Sequence, residues 1–199
     1  MLEWVSHILI AFMIGAIPFG VIVSRLFYKR DLRKAGSGNI GAANALRTLG
    51  KRGAIAVLLL DAFKGAAPVL LTVPHYDQAA AVGLAAVLGH CFSPFLAFRG
   101  GKGVATSLGV IFALAWPAGL AFMLVWIAFA IGLGYASVSS MAASIAMPYV
   151  LWFIIGAPGM WYGIASAVLI VAMHRENIAR LRSGSENRLS LLAKRTKVS

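Results

Sequence analysis

Between Val104 and Met173 the chain runs for 70 residues without one Asp, Glu, Lys or Arg. An ordinary soluble fold does not tolerate such a run, because about a quarter of a globular protein's residues are charged and keep its surface in water. The same bias holds throughout: 12% of the chain is charged, 60% is hydrophobic and the mean hydropathy is +0.85. Further apolar stretches cover about residues 4–24, 53–73 and 79–97. A helix of about 20 residues spans the hydrocarbon core of a bilayer. The pattern predicts an all-α, polytopic integral membrane protein folded as one domain over residues 1–199. The first stretch lacks a basic leader region and a small-residue cleavage site, so it reads as a retained helix.

Charge placement sets the expected topology. Of the 18 Lys and Arg residues, 17 fall in three segments: eight in 25–52, Arg99 with Lys102, and seven from Arg175 to Lys197. Basic loops favour the cytoplasmic side, so residues 104–173 should cross the membrane an even number of times. Two crossings would need spans near 35 residues, whereas four give about 17 each, at the short end of the range. Trp116-Pro117, Gly132 to Gly134 and Gly156-Ala157-Pro158 supply the breaks. Pro74 to Asp77 reads as a turn on the opposite side. The expectation is seven transmembrane helices with the N-terminus outside and the C-terminus cytoplasmic. Two long, broken crossings would give five.

The net charge of +12 raises nucleic acid as a partner. Each basic cluster borders an apolar stretch, however, which suits topology signals and anionic lipid or phosphate contacts better. No nucleic-acid partner is expected. One cysteine, Cys91, excludes a disulfide framework. The four histidines form no metal-ligand pattern, and no motif demands a metal or cofactor.

Each basic segment carries more than topology requires. Gly36-Ser37-Gly38-Asn39-Ile40-Gly41-Ala42-Ala43-Asn44 ends in Ala45-Leu46-Arg47. Gly36, Gly38 and Gly41 permit a tight backbone with amides aimed at an anion. Ser37, Asn39 and Asn44 add hydrogen-bonding groups, and Arg47 a fork suited to phosphate. The plain alternative is a flexible interfacial loop. Gly100-Gly101-Lys102-Gly103-Val104-Ala105-Thr106 lacks the spacing of a nucleotide-binding loop, but glycine amides and a lysine before a helix still suit a phosphate. In the tail, His174, Arg175 and Asn177 sit where the last span meets water, with Glu186 further on. An interfacial amphipathic helix is the plain reading there.

Two features lie inside the spans. Asp61 and Lys64 are three residues apart, hence on one helix face, as a neutralised structural lock or as a functional pair. His90 is equally a helix-to-helix hydrogen bond or a reactive group.

These motifs resemble those of the bacterial acyl-phosphate:glycerol-3-phosphate acyltransferases. The resemblance rests on GSGNIGAANALR at 36–47, GGKGVAT at 100–106 and HRENIARLRSGSEN at 174–187, with DAFKG at 61–65 and GH at 89–90. It covers essentially the whole chain. It implies transfer of a fatty acyl group from acyl-phosphate, not acyl-CoA, to the 1-hydroxyl of glycerol 3-phosphate, giving lysophosphatidic acid and inorganic phosphate. It implies motif loops facing the cytoplasm, in the inner membrane of a bacterium. Lys102, the amides of Gly100, Gly101 and Gly103, and Ser37 would then bind the donor and stabilise charge on its carbonyl. Thr106 closes that motif. Arg47, Asn39 and Asn44 would orient the glycerol 3-phosphate. His174, Arg175, Asn177 and Glu186 would complete the site from the tail, with Lys64 and His90 contributing from the spans. Membrane lipids are expected neighbours, an acyl-phosphate-producing enzyme is a candidate partner, and no obligate protein partner is expected. The competing class is a small transporter for phosphate-bearing solutes, which would route polar groups through the midplane.

Overall fold

The computed structural model describes residues 2–72 and 76–189. Residue 73, at the end of the second apolar stretch, Pro74 and His75 of the expected turn, and Lys194, Arg195 and Lys197 lie outside the described residues. Among those described, the elements are α1 (Leu2–Ala16), α2 (Phe19–Tyr28), α3 (Ala42–Thr72), α4 (Tyr76–Cys91), α5 (Val104–Leu114), α6 (Trp116–Leu133), α7 (Ala136–Ile155), α8 (Ala157–Met173) and α9 (Arg175–Arg182). Short 3-10 turns at Leu32–Lys34 and Pro94–Leu96 fold two connections.

The fold is all-α and polytopic. Five spans are long and apolar enough to cross a membrane, counting Val5–Tyr28 as one. The pair α8 and α9, bent by 56°, would make a sixth. With 11 residues, α5 is only about 16 Å long at 1.5 Å per residue. The surface carries the sign of lipid exposure: Leu71 is 81% and Phe153 84% exposed, an arrangement that water would penalise.

Helix breaks fall where backbone chemistry demands them. The first apolar stretch, expected as one helix, splits at Ile17-Pro18, because Pro18 has no N–H to continue the ladder. The uncharged region divides at Ala115, Gly134-Tyr135 and Gly156, beside the breaks its Gly and Pro residues predict. One break goes against expectation. α3 begins at Ala42, well before the apolar stretch at 53, and bends at Gly50 (φ 81°, ψ −174°). Positive φ with extended ψ is open to glycine almost alone. A short site-bearing helix thus precedes the span.

Small residues allow the helices to touch backbone to backbone, as expected where lipid supplies no hydrophobic drive. A Cβ on Gly15 would lie 2.0 Å from Ala86 O, locking α1 to α4, and one on Gly65 would lie 2.1 Å from Thr106 O, locking α3 to α5. A core of Val87, Val110, Ile111, Phe122, Met147 and Leu151 fills the space between α4 and α8. Ser107 and Tyr162 hydrogen-bond across α5 and α8 (2.9 Å).

Candidate active site at the junction of three basic segments

The polar connections meet at one end of the bundle. Lys102 occupies the turn between α4 and α5. That turn is folded back on α4: Gly100 N–H donates to Cys91 O (3.0 Å) and Gly101 N–H to His90 O (3.1 Å). Gly103 then takes φ 79° to start α5. A Cβ on it would crowd Val87 and Cys91. The lysine is presented from a rigid backbone, beside the positive end of a helix dipole.

Lys102 Nζ donates to Asn177 Oδ1 on α9. Asn177 Nδ2 in turn donates to Glu186 Oε1 (2.6 Å). Glu186 also accepts from Ser137 Oγ on α7 (2.8 Å) and from Arg180 Nε (2.8 Å). Burial opposes ionisation of Glu186, but these hydrogen bonds outweigh it and hold its pKa below the usual value. The tail reaches this position by a clasp. Leu189 N–H donates to Gly134 O (2.8 Å), and its side chain packs on Ala130 and Ala136. Arg47 Nη2 reaches Asn187 O (3.4 Å), so the first basic segment joins the same cluster.

The electrostatics favour an anion. Burial lowers the pKa of Lys102 to about 8, and the nearby cations Arg180 and Arg47 add to the effect against the carboxylates Glu186 and Glu176. Bringing three cations together is unfavourable unless negative charge is supplied. His174 is buried, with Nδ1 2.7 Å from Ile170 O. A carbonyl only accepts, so the proton sits on Nδ1 and Nε2 is left as an acceptor.

Lys102, Asn177 and Glu186 form one hydrogen-bonded chain, Arg47 joins it through the tail backbone, and His174 starts the same helix. Arg175 is exposed on α9. Two expected ligands brace the loop itself. Asn44 is buried, and its amide approaches the carbonyls of Leu32, Ala35 and Asn39 (3.0, 2.9 and 2.7 Å) while accepting from Ser37 N–H (2.9 Å). Asn39 accepts from Gly41 N–H (2.8 Å). Both shape the Gly36–Gly41 loop and set the half-buried Ser37. Lys64 and His90 lie behind the Gly100–Gly103 loop. Thr106 Oγ1 is buried without a hydrogen-bond partner among the described residues.

Arg180 and Ser137 are members of the site that the sequence pattern does not single out. Arg180 reads as one more topology charge until Glu186 is seen beside it. Ser137 sits in Ser-Val-Ser-Ser directly after the Gly134 break, a polar cluster in an uncharged run, and that cluster was the available signal.

Comparison with known proteins decides the family. The model of the glycerol-3-phosphate acyltransferase family matches residues 5–184. The chain belongs to the glycerol-3-phosphate acyltransferase family. Within it, the glycerol-3-phosphate acyltransferase of Rhodopseudomonas palustris (strain BisB5) is 44% identical over 189 residues, covering 94% of this chain and 96% of the relative. That of Nitrobacter winogradskyi is 48% identical over 190 residues, covering 92% and 94%. The crystal structure of PlsY, an integral membrane glycerol 3-phosphate acyltransferase, in its glycerol 3-phosphate form superposes with a TM-score of 0.89 at 37% identity, covering 98% of this chain and 100% of that one. The lysophosphatidic acid form gives 0.85, covering 94% and 95%.

Proposed function

We propose that this family member transfers a fatty acyl group from an acyl-phosphate to the 1-hydroxyl of glycerol 3-phosphate, releasing lysophosphatidic acid and inorganic phosphate. The observation that carries the reading is the convergence of Lys102, Arg47 and Arg180 around the Asn177–Glu186 pair. Two substrates bear phosphate, and the cations of this cluster outnumber its carboxylates. The Gly100 and Gly101 amides, expected to bind the donor, are instead spent on Cys91 O and His90 O, so Lys102 and the Gly103 amide at the start of α5 hold the donor phosphate, with Ser37 beside the carbonyl where negative charge develops. Arg47 and Arg175 attract the phosphate of glycerol 3-phosphate. Asn39 and Asn44 contribute by holding the loop that carries Ser37.

The hydroxyl oxygen attacks the acyl carbon, the bond from that carbon to the phosphate oxygen breaks, and phosphate leaves. The hydroxyl proton goes either to a phosphate oxygen or to His174 Nε2. Glu186 is a weaker candidate base, since both its oxygens already accept hydrogen bonds. An acyl-phosphate is an activated mixed anhydride, so positioning supplies much of the acceleration.

Seven crossings, with the site at the cytoplasmic face of the inner membrane, fit this chemistry. The contact between Leu189 and Gly134 supports them, because the tail and the α6–α7 turn then share a side. A soluble acceptor meets a lipid-borne donor there, and an enzyme forming acyl-phosphate is the natural partner. The test gives purified protein glycerol 3-phosphate with acyl-phosphate or acyl-CoA in parallel. Lysophosphatidic acid from the acyl-phosphate arm alone is expected. Product from acyl-CoA alone would overturn the donor assignment, and solute movement without product would indicate a transporter.

A further inference from the structure

Behind the Gly100–Gly103 loop lies a charged cluster that touches neither substrate in the scheme above. Asp61 and Lys64, on one face of α3, form an ion pair (2.7 Å), and neither is more than 2% exposed. Lys64 Nζ also donates to Ile17 O (2.7 Å), at the break between α1 and α2. On the other side of the carboxylate stands His90 of α4, with Nδ1 3.7 Å from Asp61 Oδ1. That is outside hydrogen-bond range. His90 Nδ1 and Asp61 Oδ2 are both buried with no hydrogen-bond partner among the described residues.

The far edge of the same imidazole is the floor of the loop. A Cβ on Gly101 would lie 2.1 Å from His90 Nε2 and 2.9 Å from Cε1. The loop therefore rests directly on the ring, and Lys102 is the next residue. Stability alone gives little reason for the cluster, since a buried ion pair is often replaceable by apolar residues without loss. Ionisable groups within a membrane usually serve function, and unsatisfied buried polar atoms call for a cause.

We propose that Asp61 is a positioning residue for the donor-phosphate loop. Its carboxylate faces the Nδ1 edge of His90, the ring seats Gly101, and that seat sets the direction of Lys102. Lys64 neutralises the carboxylate and ties the assembly to the α1–α2 break. A small rotation of the His90 ring would turn the 3.7 Å contact into a hydrogen bond, and the same rotation would move the seat of Gly101. The inference rests on the reading that Lys102 holds the donor phosphate.

The test uses the full-length protein in detergent and a double-mutant cycle. Asp61→Asn alone leaves Lys64 unpaired and risks misfolding, so the working variant is Asp61→Asn/Lys64→Met, which removes both charges. It should insert and remain monodisperse. Its kcat/KM for acyl-phosphate should fall about tenfold, the scale of coupling between contacting residues, with KM for glycerol 3-phosphate unchanged. The same change in a Lys102→Ala background should cost little more, because the loop has then lost the group being aimed. Losses that multiply in that background would assign Asp61 a purely structural role and overturn the proposal. Unchanged donor kinetics in the Asp61/Lys64 variant, with Lys102→Ala impaired, would also overturn it while leaving the donor site intact. Full activity of Lys102→Ala would remove the donor-loop reading and this proposal together. Should the double variant aggregate, His90→Gln supplies the same comparison with the ion pair untouched.

Discussion

At Lys102 two demands oppose each other: the site needs a positive charge, and burial beside Arg180 and Arg47 discourages one. The result is a pKa lowered to about 8. The ammonium is present below that value and is lost as pH rises through it. In the free enzyme this titration shows in kcat/KM. We expect kcat/KM for acyl-phosphate to decline above about pH 8, and Lys102→Arg to abolish the decline, since a guanidinium stays charged there. In kcat the decline should move to higher pH, because bound phosphate favours the ammonium. A profile for Lys102→Arg matching the wild type would remove the assignment. Glu186 does not confound the measurement. Its pKa is held below the usual value, so it stays ionised over this range. It accepts hydrogen bonds from Asn177 and Arg180. Glu186→Gln should weaken its contact with Arg180 and lower activity, while Ser137→Ala, which removes one hydrogen bond of three, should cost only about 1 kcal/mol of stability. Thermal unfolding of both variants checks the order.

Among the elements, α5 is held closely against α3. It is short, and it leans on α3 through Gly65, where a Cβ would strike the backbone oxygen of Thr106 at 2.1 Å. Backbone cannot rotate aside as a side chain can, so Gly65→Ala must separate the two helices. Overpacking of this kind costs roughly 1–3 kcal/mol, and it should lower the unfolding temperature and displace the loop that begins α5. A variant with unchanged stability and activity would show the packing to be looser. The contrast with Gly50, where nothing lies within 4 Å, explains what the sequence discloses. Breaks at Gly134 and Gly156 are local chemistry and can be read in advance, whereas the one at Pro18 is masked by the continuous apolar stretch around it. The bend at Gly50 hides among Lys51 and Arg52, which read only as topology charges. The glycine-rich segments at 36–41 and 100–103 were legible as tight turns, because glycines so closely spaced have few other uses. The inward turn of Asn44 was not, because its acceptors are backbone carbonyls of Leu32, Ala35 and Asn39, which no side-chain pattern reveals. The clasp of Leu189 on Gly134 was hidden for the same reason.

For the whole molecule, the site works only if all three basic segments share one side of the membrane, and that makes topology a functional prediction. The lone cysteine, Cys91, is fully buried, so introduced cysteines report without interference from it. Asp77, Arg99, Ala157 and Arg182 are all exposed and lie at helix ends or in connections. With the N-terminus outside and seven crossings, Asp77→Cys and Ala157→Cys face the exterior. They should react with a membrane-impermeant maleimide on intact cells. Arg99→Cys and Arg182→Cys should react only after the cells are opened. The Ala157 position separates the crossing numbers. Five helices would place the single turn of the 104–173 region near its middle and leave Ala157 within the bilayer, closed to the reagent from either side. Exterior labelling of Arg182→Cys would reverse the orientation and put the Lys102–Asn177–Glu186 site on the wrong face for a cytoplasmic glycerol 3-phosphate. Labelling of Asp77 and Ala157 alone in intact cells would place the three phosphate-seeking segments together inside, where their shared excess of positive charge meets both anionic substrates.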